Sequence, residues 1–160
     1  MSCSHKPRKA YRPRPSARAA KPAQADREEV LGILQDAIKA LREGVATELQ
    51  WSIADGALEV SKAIEHQGIV RGLAEHLATT STALLAIYDR AMATGTWRST
   101  ALWYYELDAL QTFLDLHTFQ VHQLGRAEFL AAVDGATNQV RRQGGNVTVV
   151  RGDLQEVAAA

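Results

Sequence analysis

Apolar side chains recur through residues 97–124 at alternating steps of four and three. Trp103, Leu107, Leu110, Leu114, His117, Val121 and Leu124 fall on one line. That line is one stripe of an α-helix, close to a heptad seam, and a helix so patterned must pack on others. Leu102, Ala109, Phe113 and Leu116 widen the stripe; Tyr104, Asp108, Gln111, Asp115, Thr118 and His122 occupy the far side. Similar lines mark the other segments. Val30, Leu34, Ile38 and Leu41 predict a first helix, with Asp26 as its N-cap and Gly44 as its stop. Leu49, Ile53, Ala57, Val60 and Ile64 predict a second that ends near Gly68; one bent helix over both stretches is the alternative. Leu73, Leu77, Thr80, Leu84, Ile87 and Ala91 form the seam of a third, from about residue 69 to 93. The turn Thr94-Gly95-Thr96, with Thr96 or Ser99 capping the next helix, makes the third and fourth helices antiparallel neighbours. Phe129, Leu130, Val133 and Val140 place a last helix over 126–143, closed by Gly144 and Gly145. The resulting fold class is all-α: an antiparallel bundle of four to five helices over residues 26–143.

Both ends of the chain break the pattern. Residues 1–25 hold all four prolines, one aromatic (Tyr11) and no valine, leucine or isoleucine. So little apolar surface does not offset chain entropy, and the stretch reads as a disordered, polyproline-II-like arm. Residues 144–160 read as a loosely ordered tail with one β-prone patch at 147–150, either frayed or docked as a strand or short helix.

Charge sharpens the division. The formal net charge is zero, but residues 1–22 contain Lys6, Arg8, Lys9, Arg12, Arg14, Arg18 and Lys21 and no acid. The rest of the chain keeps eleven positive residues against all 18 acids, a net of −7. A basic arm is tethered to an acidic body. Arg8, Lys9, Arg12 and Arg14 suit contact with a phosphate backbone, without the aromatic density of a stacking platform. A solvated tail, or a tail lying on the chain's own acidic body, is the competing reading.

Candidate chemistry is sparse. Glu65-His66 and Glu75-His76 are adjacent pairs, not the Glu-x-x-His of a di-metal bundle. His117 and His122 are five apart and miss the spacing that puts two ligands on one helical face. His117, on the apolar line, reads as a hydrogen-bonded core histidine. The run Thr79-Thr80-Ser81-Thr82 reads as hydroxyls bonded back to the preceding turn. Cys3 sits in the arm, with no helix to activate it. No phosphate-binding glycine motif occurs. The expectation is a protein that is not an enzyme and needs no metal or cofactor. No apolar run is long enough for a membrane span, and the single cysteine suits a reducing compartment, so the expected setting is cytoplasmic.

Aromatics crowd residues 97–105. Trp103 falls on the core line, Tyr104 on the polar side, and Trp97 precedes the helix beside Arg98. Trp97, Arg98 and Tyr104 are the candidate anchors for a protein partner. For Trp97 the alternative is folding back over the end of the third helix. The expected function is therefore a small binding protein that contacts a macromolecular partner, with nucleic-acid contact through the arm as the alternative. The two near-heptad seams suit pairing within one chain or between two copies.

The stretch Arg8-Lys9-Ala10-Tyr11-Arg12-Pro13-Arg14-Pro15 resembles the N-terminal arm of short helical proteins of proteobacteria and their phages. The resemblance implies an accessory protein carried by a phage or mobile element. It brings no functional residues to transfer.

Overall fold

The computed structural model describes residues 24–147, 149–150 and 156–157. Among these residues five helices occur in order: α1 (Gln24–Glu43), α2 (Glu48–Gln67), α3 (Ala74–Ala91), α4 (Tyr104–Gln123) and α5 (Arg126–Arg142). α1 starts two residues ahead of the expected Asp26 cap. It stops at Gly44, whose φ of 70° is open to glycine at little cost. There the Gly44 N–H donates to the Leu41 carbonyl and the Val45 N–H to the Ala40 carbonyl, the usual glycine close of a helix. Residues 26–68 therefore form two helices and not one bent one. Thr47 and Gln50 then start α2 by capping each other: the Gln50 N–H donates to Thr47 Oγ1, and the Thr47 N–H to Gln50 Oε1.

The third helix begins later than its apolar seam suggests. Gly68, at φ 77°, ends α2, and the Glu65 carboxylate accepts the N–H groups of Gly72 and Leu73 at 2.8 and 3.3 Å. A side chain near the end of α2 thus caps the start of α3. Residues 69–73 become a turn, and Val70 goes into an apolar cluster with Ile64, Leu124 and Ala132. Along α3 itself the expected line holds: Leu77, Thr80, Leu84, Ile87 and Ala91 are all buried. Thr79, Thr80 and Thr82 donate to the carbonyls four residues back, as their sequence context suggests.

α1, α2, α3 and α4 pack in a ring, with α2 and α4 touching across its diagonal, and α5 lies outside against α2. Leu34, Ile38, Leu41, Leu58, Leu84, Ile87, Leu110 and Phe113 fill the centre. α2 corrects the sequence reading. Its buried line is Ala54, Leu58, Ser61 and Ile64, whereas Leu49, Ile53, Ala57 and Val60 are only part-buried. A helix packed by four others has apolar residues around much of its circumference, so one stripe does not locate its centre-facing side. Ser61 faces α4 across the diagonal, while Val60 and Ala63 border the cluster shared with α5. On α5, Leu130 is half exposed and the contact line runs through Ala132 and Ala136. Small residues let this helix sit close to α2: a Cβ built on Gly135 would lie 3.9 Å from that of Ala63. The C-terminal patch takes the strand option, a two-residue antiparallel ladder pairing Val149 with Val157 and Val150 with Glu156.

Because α5 rests almost wholly on α2, its amides should exchange through an opening that leaves α1–α4 intact. Native-state hydrogen exchange read residue by residue checks this: the α5 amides should exchange at lower denaturant than those of Leu58, Leu84 and Leu110.

Candidate functional site

The chain crosses one end of the bundle between α3 and α4, and the aromatic residues gather there. Gly95, at φ 82°, turns the chain, and the Arg98 N–H donates back to the Ala91 carbonyl. The turn expected at 94–96 is present, but helix four does not start at once. Residues 97–103 run on across the α1–α2 connection, and backbone at Thr100 and Ala101 passes within 4 Å of where a Gly44 Cβ would stand. What holds this segment down is Trp97. Its indole N–H donates to the Ala46 carbonyl at 2.8 Å, and its ring lies 6.3 Å from Trp51 and 6.2 Å from Tyr88. Trp51 is fixed in turn by its own N–H on the Leu84 carbonyl and by Tyr88, 4.7 Å away. Trp97 thus folds back over the end of α3 as packing. Of the three residues expected to anchor a partner, it is the one turned inward.

α4 begins at Tyr104, with neither Thr96 nor Ser99 as its cap. The capping group is the carboxylate of Glu106, which accepts the Trp103 N–H at 2.8 Å. Glu106 is fully buried, and Arg90 of α3 holds it with two hydrogen bonds of 2.6 Å. A two-pronged guanidinium–carboxylate contact is strong and directional. Its effect is to fix the first turn of α4 against the last turn of α3. The Arg90 guanidinium also lies 6.0 Å from the Trp103 ring, within cation–π range.

On the outside of that turn stand three large aromatics in succession. Trp103, Tyr104 and Tyr105 are 60%, 84% and 57% exposed, and Arg98 is exposed nearby. Trp103 lies on the predicted core line but is solvent-facing, because it precedes the first helical residue and the buried line of α4 starts at Glu106. The sequence reading missed both Glu106 and Arg90. A hint was present: Glu106 sits four residues before Leu110 on the apolar side and three after Trp103, where a capping carboxylate belongs.

A second buried polar group lies where α2 and α4 touch. Ser61 Oγ is 2.6 Å from His117 Nδ1, and Gln120 Nε2 donates to the Ser61 carbonyl at 3.2 Å. All three are essentially buried, and Gln120 Oε1 finds no partner among the described atoms. Burial lowers the His117 pKa to about 4, so its imidazole is neutral at physiological pH. A serine beside a neutral imidazole is half of a nucleophile–base pair. Both residues are buried, and neither lines the surface clefts formed by the described residues around Ile69, His66, Trp51 and Lys39. The pair bonds α2 to α4 at one level, as the core-histidine reading expects. The cleft between α2 and α5, about 630 Å³, is lined by Glu59, Lys62, His66, Gln67 and Gln139 with small apolar residues between them. Among the described residues no three histidine, cysteine or acidic side chains come together as a metal site, and no helix is long and apolar enough to cross a membrane. Arg8, Lys9, Arg12 and Arg14 lie outside the described residues.

Two measurements test these buried contacts. Removing one partner of a buried ion pair leaves an unpaired charge, so Glu106→Ala should cost about 3–5 kcal/mol in a denaturant melt. For His117 the unfolded side chain titrates near 6.5 and the folded one near 4, so between those values the unfolded chain binds the extra proton. This contribution is intact above pH 6.5 and declines by about 3 kcal/mol as pH falls to 4. Melts across that range should show His117→Gln losing less stability than the native chain.

No family model, curated protein or solved structure matches this chain.

Proposed function

We propose that this protein is a non-enzymatic binding module whose recognition surface is the head of α4. One observation carries the reading: Trp103, Tyr104 and Tyr105 are consecutive, solvent-facing and mounted on a turn fixed from beneath by Glu106 and Arg90. Folding by itself favours burying such rings, and clustered exposed aromatics typify protein contact surfaces. Rigid rings with polar tips supply contact area at small entropic cost. Arg98, exposed on the preceding segment, adds charge at the rim. The partner is a protein, and the role is that of an accessory factor, as the phage-type resemblance of residues 8–15 implies. The setting we assign is the cytoplasm, on the single cysteine. A nucleic-acid role is the second reading, favoured by seven positive residues without an acid in residues 1–22.

Capture from host lysate on the immobilised full chain separates the two. Tyr104→Ala should abolish capture of specific proteins and leave the melting temperature within a degree or two, since that ring is 84% exposed. Capture of the same proteins by this variant would sink the proposal. Trp97→Ala should behave oppositely, losing about 3 kcal/mol of stability. On the second reading, labelled DNA or RNA oligomers bind the native chain with a steep salt dependence. Arg8, Lys9, Arg12 and Arg14 replaced together by serine should then remove that binding.

A further inference from the structure

The outward side of α4 carries an ordered row of groups. Below Tyr104 and Tyr105 come Asp108, Asp115 and Phe119, all exposed and spaced by three, four or seven residues. That spacing lines them up along one side of the helix. Asp108 has no hydrogen bond or ion pair with any described residue, and Asp115 accepts only from Gln111 of its own helix. The row runs two rings, two carboxylates and a third ring over about four turns, all of them exposed.

The chain ahead of α1 has the complementary make-up and begins at the right place. α1 runs antiparallel beside α4, and Arg42 fixes the relative level by donating to Gln111 Oε1 at 3.2 Å. Gln24 starts α1 at the opposite end, about 27 Å from Arg42 at the helical rise. Tyr104 lies about 10 Å beyond Gln111 in the other direction. A polyproline-type strand advances about 3.1 Å per residue, so about twelve residues ahead of Gln24 cover the whole distance. An arm extended in that form along α4 would have Arg12 level with Tyr104, Arg14 with Asp108 and Arg18 with Asp115. The two aspartates are about 10 Å apart along the helix and the two arginines about 12 Å apart along such a strand.

We propose that residues 11–18 of the chain's own N-terminal arm dock along this side of α4, with Arg12 and Pro13 on the rings of Tyr104 and Tyr105 and Arg14 and Arg18 against Asp108 and Asp115. Aromatic-lined surfaces take proline-rich strands readily, because such a strand is already extended and loses little entropy on binding. Arginine adds planar stacking on tyrosine together with charge. Tethering raises the local concentration of the arm to the millimolar range, so weak contacts suffice. The inference rests on reading the head of α4 as a recognition surface and adds what occupies it: the arm covers the surface until a protein partner displaces it.

The test uses the full chain carrying Cys3→Ser and Ala10→Cys, with a nitroxide attached to the introduced thiol, and ¹⁵N amide spectra. Docking predicts that the amides of Tyr104, Tyr105 and Asp108 broaden several-fold more than those of α5. Tyr104→Ser with Asp108→Lys should abolish the difference, and 1 M salt should reduce it. Uniform broadening, or broadening centred on another helix, overturns the proposal. So does broadening in an equal mixture of spin-labelled unenriched chain and ¹⁵N-enriched unlabelled chain, which would identify the arm of a second copy as the occupant. The two readings fail separately. Selective broadening without partner capture retains the docked arm and removes the binding function. Capture that depends on Tyr104 without selective broadening does the reverse.

Discussion

The carboxylate of Glu106 does three things at once. It accepts both prongs of Arg90, it caps α4 through the Trp103 N–H, and it thereby sets where the last turn of α3 meets the first turn of α4. A charge with no solvent exposure is tolerable only when its acceptor positions are filled, and here an arginine and a backbone amide fill them. The long connection from Gly95 to Trp103 follows from this anchor and from Trp97, which ties the same segment to the α1–α2 turn. The exposed aromatics are a product of that arrangement. With the helix start fixed from inside, Trp103, Tyr104 and Tyr105 have only the outside left to them.

The centre of the bundle works by a related rule with neutral groups. Where α2 and α4 meet, Ser61, His117 and Gln120 take positions that leucine or alanine would otherwise hold. Sliding either helix by one turn would separate Ser61 from both partners and leave buried polar atoms unpaired. Apolar packing tolerates small slips; a polar contact of 2.6 Å does not. Among the described residues, the polar contacts between helices that rest on fully buried side chains thus fall at two levels, one ionic at the end of the bundle and one neutral in its middle, and both involve α4.

Much of this was legible in the sequence, and the rest was hidden for identifiable reasons. The all-α class, the Gly44 stop, the α3 seam and the core histidine follow from periodicity and capping chemistry, which are local. The rotated face of α2 was not legible, because a helix contacted on several sides has no single apolar stripe to read. The late starts of α3 and α4 depend on Glu65 and Glu106, carboxylates that act across a turn or from another helix. Trp103 and Trp97 exchanged roles for the same reason: which of two nearby tryptophans is buried depends on where the helix begins. Of the candidate surface residues, Tyr104 and Arg98 are where a sequence-only reading places them, exposed to solvent. Glu106 and Arg90, which support that surface, are sixteen residues apart and gave no joint signal.

α5 shows what the architecture permits. It lies on α2 through alanines and a glycine, joined to α4 by the short link at Leu124 and Gly125, and the central core of the ring contains none of its residues. Drift in its sequence therefore leaves the four-helix ring nearly untouched, whereas drift in α2 alters the packing of every other helix. Related chains of this design are accordingly expected to agree in α1–α4 and to diverge, shorten or acquire appended domains after residue 125.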